Sequence, residues 1–234
     1  MTSTEQACKI LADISTATLT TVLLRKGLRT VWMRGTSPLS AGQGRVVGPA
    51  FTLRFVPARE DLATPASWAS PISTRAAIEA MPEGVVAVVD AQGIQGAGVF
   101  GDILCARMQR RKVAAMVTDG AVRDVSGVRA SGLPVFCSAV AAPPSVAGLT
   151  FVGWQEPVSC GGVAVFPGDI IVADDDGAVV IPSALLGDVV IESVEQERAE
   201  AWIMDEIGRD VPLPGLYPMN EETRARYAAW KQAQ

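Results

Sequence analysis

Two apolar runs constrain the fold of this chain more than anything else in it. Gly84-Val-Val-Ala-Val-Val-Asp90 and Val113-Ala-Ala-Met-Val-Thr118 show no polar alternation, so each predicts a buried strand rather than one edge of an exposed hairpin. Each ends in a glycine-bearing turn and passes into a helical pattern, about Val99 to Arg111 after the first and about Ala121 to Ala130 after the second. Pro134-Val-Phe-Cys137 opens a third strand. Strand and helix alternating at this spacing predict an α/β fold with parallel strands joined by right-handed crossovers.

The flanking regions are read from the same signals. An apolar stripe at Ile10, Leu11, Ile14, Leu19, Val22 and Leu23 predicts one helix over about Thr4 to Lys26, stopped by Gly27. Val46 to Val56 reads as a strand, Ala58 to Ser73 as an irregular loop, and Thr74 to Met81 as a helix. Beyond Pro157 short strands alternate with turns. Asp174-Asp175-Asp176-Gly177 lacks the later ligands of a calcium loop and predicts a hairpin turn. Ser183 to Ile207 and Glu221 to Lys231 read as helices. The expected organisation is one α/β domain over residues 1–194 and a helical C-terminal arm over 195–234, packed on the core or on a neighbouring subunit.

Composition excludes several chemistries. With no histidine in 234 residues, Ser-His-Asp triads, Cys-His pairs and imidazole zinc sites are impossible. Lys9, Lys26, Lys112 and Lys231 lie at helix surfaces, junctions or the tail, away from the apolar pocket a Schiff-base lysine needs. Cys8, Cys105, Cys137 and Cys160 form no CxxC pair and read as free, mostly buried thiols. A net charge of −5 disfavours nucleic acid as a partner. The first residues do not resemble a secretory signal and no segment has the apolar length of a membrane span, so a cytoplasmic location is expected.

Chemistry concentrates in one constellation. Asp102 and, after twenty intervening residues, Arg123-Asp124 both fall just after a buried strand, in the first turns of two successive helices. Parallel βα units bring such helix starts together at the carboxyl edge of the sheet, where unpaired N–H groups favour anions. Asp124 is then a candidate ligand for a hard divalent cation, Asp102 a candidate for holding its water shell, and Arg123 a planar grip for a carboxylate or enolate oxygen. Gly93, Gly96, Gly98 and Gly101 would let backbone approach a ligand closely, although the loop matches neither a phosphate loop nor a dinucleotide fingerprint. The plainer alternative stays open: acids in a first helical turn are favoured by the helix dipole, and an Asp-Arg pair is a common surface ion pair.

VVDAQG, the GDIL element at Gly101 to Leu104, TDGAVRD at Thr118 to Asp124, and CGGVAVFPGDIIVADDDGAVVIP at Cys160 to Pro182 together resemble the RraA-like proteins. That family includes regulators of ribonuclease E and metal-dependent aldolases acting on 4-hydroxy-4-methyl-2-oxoglutarate and 4-carboxy-4-hydroxy-2-oxoadipate, which also decarboxylate oxaloacetate. The resemblance implies a layered α/β/α fold with a helical C-terminal extension, assembled as a homotrimer or homohexamer. It implies Mg²⁺ or Mn²⁺ on Asp124, with Asp102 ordering metal-bound water and Arg123 on the substrate oxygen. Backbone at Gly101, Ile103 and Leu104 would receive the carboxylate of a 2-oxo acid. Retention of Asp124 favours the aldolase branch over the regulators, and a metal-dependent sugar-acid dehydratase or hydrolase is a third reading. Two departures stand out: Val140 to Gly148 carries no basic residue for a distal carboxylate, and Glu195, Glu197 and Glu200 are equal candidates for an acid supplied to a neighbouring site.

Overall fold

A computed structural model describes residues 3–233. The chain opens with α1 (Thr4–Leu11) and α2 (Thr16–Arg25), bent against each other by 118°. The single helix expected over Thr4 to Lys26 is therefore two. The break is built by acceptors outside the helix: Ser15 Oγ accepts from Thr18 N at 3.0 Å as an N-cap, while Ser15 N donates to Glu197 Oε1 at 3.0 Å and Thr16 N to Asp174 Oδ2 at 2.9 Å. Apolar periodicity continues through the bend, which is why the stripe alone conceals it.

Short strands β1 (Trp32–Met33) and β2 (Ser37–Pro38) precede the long β3 (Val46–Pro57). The segment read as an irregular loop contains a 3₁₀ turn at Pro65–Ala69 and leads into α3 (Thr74–Ala80). The two apolar runs form β4 (Val86–Asp90) and β5 (Ala115–Thr118). Between them α4 spans Asp102–Arg110, beginning three residues later than the pattern predicts because Val99 and Phe100 belong to a loop laid against the next unit. After β5 comes a second correction. The helix expected from Ala121 is first a short strand, β6 (Ala121–Val122), and only then α5 (Val125–Ser131). The chain continues through β7 (Val135–Cys137), β8 (Ala139–Val140), β9 (Leu149–Trp154), β10 (Val158–Cys160), β11 (Val163–Val165), β12 (Ile170–Asp174) and β13 (Gly177–Ile181). It closes with α6 (Leu186–Gly208) and α7 (Glu221–Gln232).

The main sheet runs β1-β13-β12-β3-β4-β5-β7-β2, with β9 added along the second half of β3. Strands β3, β4, β5 and β7 are parallel, and antiparallel pairs extend both sides. Asp174 and Gly177 face each other at the end of β12 and β13, so the acidic run is the expected hairpin turn.

Helices cover both faces, giving the layered α/β/α arrangement. Val86, Val88, Ala115 and Val117 point into a core shared with α1, α2 and α6, whereas Ala87, Val89 and Met116 point into a second core with α3, α4 and α5. This double burial explains the uninterrupted hydrophobic runs, since each valine removed from water contributes about 1.5–3 kcal/mol whichever face it points to. Residues 194 and 195 both lie inside α6. Its first half buries Leu186, Val189 and Val190 against the core, and its second half packs Trp202 and Ile203 into a separate cluster with Leu216 and Tyr227.

Candidate functional site

The glycine-rich loop after β4 is stitched along the segment after β5. Val99 N donates to Ala121 O at 2.8 Å and Arg123 N to Phe100 O at 3.0 Å, while Gly98 N reaches Pro143 O at 2.9 Å. Asp119 fixes the start of this loop: its carboxylate accepts from Ala91 N at 2.8 Å, Gly93 N at 3.2 Å and Gly161 N at 3.2 Å. Burial pushes the Asp119 carboxyl above the ordinary aspartate value, against the opposing pull of those three donors. Sequence reasoning did not single out Asp119, because its partners are long-range backbone groups.

This ladder brings the expected residues together. Asp102 opens α4 behind its N-cap Gly101. Arg123 and Asp124 do not sit in the first turn of a helix as expected. Arg123 lies between β6 and α5, and Asp124 is the N-cap of α5 in a left-handed conformation, φ 54° and ψ 44°. That region is disfavoured for a residue with a Cβ and is most tolerable for Asn and Asp, so the backbone carries strain where the carboxylate is presented. Arg123 Nε donates to Asp124 Oδ2 at 2.8 Å, and both side chains are part-exposed.

Glycines make the approach possible. A Cβ on Gly101 would stand 2.6 Å from Asp124 Oδ2, one on Gly98 would stand 2.8 Å from Arg123 N, and one on Gly127 of α5 would stand 2.5 Å from Asp102 Cβ. The starts of α4 and α5 thus interlock, the acid of each resting over a glycine of the other. Gly127 is a functional neighbour the sequence reading missed, since its contact is made across helices. Ile103 is highly exposed, at 79%, and its N–H donates to Asp102 Oδ1 at 2.7 Å. The N–H expected to receive a substrate carboxylate is thus held by the neighbouring acid.

Asp102, Ile103, Leu104, Arg123 and Asp124 line a cavity of about 300 Å³, which Gly98 to Gly101 floor. Trp68, Thr74, Arg75, Pro144 and Ser145 complete its lining. Arg75 stacks over Trp68, its Cζ 4.9 Å from the ring centroid. Neither residue was marked in the sequence, where they sit in an irregular loop and an ordinary helix start.

Glu195 accepts from Lys231 Nζ at 2.6 Å and Tyr227 OH at 3.1 Å, Glu197 from Ser15 N at 3.0 Å, and Glu200 from Gln196 Nε2 at 2.6 Å. All three are engaged within their own chain. Each lysine makes an ion pair: Lys9 with Glu5, Lys26 with Glu192, Lys112 with Glu83, and Lys231 with Glu195. The cysteines are free, and burial pushes Cys105 up to about 12 and Cys137 up to about 11, which suits packing rather than nucleophilic attack. Among the described residues no helix is long and apolar enough to cross a membrane.

Residues 11–180 match the RraA-like family, described as Aldolase/RraA. The chain belongs to the RraA-like family. A relative from Halalkalibacterium halodurans, provisionally named 4-hydroxy-4-methyl-2-oxoglutarate aldolase, is 34% identical over 67% of this chain and 68% of its own length. Protein DlpA of Legionella pneumophila is 36% identical over 71% of this chain, a stretch that spans only 26% of DlpA. Among solved structures, Streptomyces coelicolor RraAS2, described as an unusual member of the RNase ES inhibitor RraA protein family, superposes with a TM-score of 0.77 at 34% identity, covering 86% of this chain and 97% of that one. A Pseudomonas syringae protein shares the fold, with a TM-score of 0.81 at 24% identity, over 94% and 96% of the two chains. The description of the matched family covers both aldolases and RraA proteins.

Proposed function

We propose that this RraA-like protein is a divalent-metal-dependent lyase that cleaves a 2-oxo acid by a retro-aldol reaction, releasing pyruvate, and that it also decarboxylates oxaloacetate. The observation that carries this reading is the interlock of α4 and α5, which presents Asp102, Arg123 and Asp124 to one cavity over glycines that leave them room.

The donor set fits a hard cation. Two carboxylates face the cavity, and the Gly101 surface leaves no Cβ to displace the Asp124 oxygen. Among the described residues no group of three or more acidic, cysteine or histidine side chains forms a cage, which suits Mg²⁺ or Mn²⁺ retaining most of its waters. Asp124 would hold the ion directly and Asp102 through its hydration shell. When bound, the ion supplies Lewis-acid polarisation of the 2-oxo acid.

The chain's own groups supply the rest. Arg123 is anchored through Nε to Asp124, which leaves its terminal nitrogens to bind a substrate oxygen in the cavity. Negative charge gathers on the C2 oxygen as the C3–C4 bond breaks, and a fixed guanidinium stabilises it most in the transition state. The substrate carboxylate meets the start of α4, taking the Leu104 N–H and displacing Asp102 Oδ1 from the Ile103 N–H. That displacement would free the Asp102 carboxylate to take the C4 hydroxyl proton as the C3–C4 bond breaks and to return it to C3 of the enolate.

Pyruvate release from oxaloacetate should require Mg²⁺ or Mn²⁺ and fall about 10²–10³-fold in Arg123→Ala, the typical loss for one transition-state donor. Equal rates with EDTA, with metal and in the variant would overturn the reading. The likeness to RraAS2 supports a second reading, regulation of a ribonuclease by surface contact. A regulator would release no pyruvate under any of these conditions and would slow RNA cleavage in a reconstituted mixture.

A further inference from the structure

We infer that Arg75 is the specificity residue of this cavity and binds the distal carboxylate of a dicarboxylic 2-oxo acid. The inference rests on the lyase reading above and names the residue by which that site selects among 2-oxo acids.

Four observations converge. Arg75 lines the same cavity as Arg123 and Asp124. It is not paired with an acid: among the described residues it enters no salt bridge, and Glu79, one helical turn along α3, is already bound by Arg107 at 2.7 Å through both oxygens and by Arg111 at 3.2 Å. Its position works against helix stability, since it follows the N-cap Ser73 by two residues and a cation in the first turn opposes the macrodipole. Finally, its guanidinium lies over Trp68, Cζ 4.9 Å from the ring centroid, a contact that holds the cation without neutralising it. A cation placed where it costs stability, left without an acid and held by an aromatic plate beside a reaction site is suited to an anion that arrives with the ligand.

The cavity also divides the labour between its two cations. Arg123 is committed through Nε to Asp124 and lies beside the start of α4, where the 2-oxo acid end binds. Of the other side chains that line it, Trp68, Thr74, Pro144 and Ser145 carry no charge. Arg75 is therefore the cavity's group for a second carboxylate, and planar guanidinium binds carboxylate through two parallel hydrogen bonds.

Two unreactive probes isolate this contact: 2-oxoglutarate, and 2-oxobutyrate, which is the same chain with hydrogen in place of the distal carboxylate. Titration calorimetry on the Mg²⁺-loaded protein should show 2-oxoglutarate binding about tenfold or more tightly than 2-oxobutyrate, the value of a charge-assisted hydrogen bond. Arg75→Gln should abolish that preference while leaving 2-oxobutyrate affinity within about twofold, and Arg75→Lys should restore part of it by charge without the fork. If 2-oxobutyrate binds but the wild type shows no preference, or Arg75→Gln keeps it, the assignment of Arg75 is overturned and the lyase reading stands. If neither acid binds, the lyase reading fails and this inference falls with it.

Discussion

At the scale of single residues the site depends on what is missing at Gly101. Its φ of −122° and ψ of −169° are extended backbone open to any residue, so Gly101→Ala introduces no conformational strain. The added Cβ would instead meet Asp124 Oδ2 at 2.6 Å and Arg123 Cγ at 3.2 Å. Gly101→Ala should therefore lose about 10²-fold in kcat, as misplacement of a reacting group by roughly 1 Å typically does, with a melting temperature close to wild type. Steady-state kinetics beside a thermal melt check this, and a large drop in stability would show that Gly101 serves the fold instead. Asp124 illustrates the reverse. Its left-handed backbone was invisible in the sequence, where the helix read from Ala121 places Asp124 in a first turn; at the helix start it occupies, an Asp side chain ordinarily bonds its own first turn. The observed Asp124 makes no such bond and turns its carboxylate to Arg123.

At the scale of elements, the α4–α5 contact decides whether the two acids share a cavity. Gly127 lies inside α5, where Ala is favoured by about 1 kcal/mol on helix propensity. Its Cβ would stand 2.5 Å from Asp102 Cβ and 2.8 Å from Asp102 Oδ2. Gly127→Ala should thus destabilise the protein by about 1–3 kcal/mol through overpacking, measured by urea unfolding. A stabilised variant would mean that the helices are not locked together. The buried strands at the centre were legible because double burial leaves a plain hydrophobic run. The bend between α1 and α2 was not, because it depends on Glu197 and Asp174, which are distant in sequence. Asp102, Arg123 and Asp124 were legible as a spaced pattern just past two strands. Trp68, Arg75, Asp119 and Gly127 were not, because each acquires its role only when separate loops and helices meet.

At the scale of the whole molecule, the C-terminal helices are fastened by carboxylates. Glu195 sits below the ordinary glutamate value because Lys231 Nζ and Tyr227 OH bond its carboxylate. Arg226 and Arg209 pair with the buried Glu206, and beside them Tyr227 stacks on Trp230 and meets Trp202 at a tilt. A carboxyl whose pKa is lowered on folding contributes stability that is complete above its unfolded value and is lost as pH falls through the lower folded value. Amide hydrogen exchange in α7 should therefore quicken as pH drops from about 4.3, the ordinary glutamate value, downward, after correction for intrinsic exchange. Protection in α7 that ignores pH across that window would place its docking on the aromatic stack alone.

Whether one cavity holds a working acid, cation and metal ligand is most directly tested by exchange of the pyruvate methyl protons in D₂O, followed by NMR. Wild-type protein with Mg²⁺ should exchange them, EDTA should stop the exchange, and Asp124→Asn should lower it by about 10²-fold or more while leaving the folded spectrum intact, since Asn also tolerates the left-handed backbone. Exchange that persists unchanged in Asp124→Asn, or that never occurs in the metal-loaded wild type, would contradict the account.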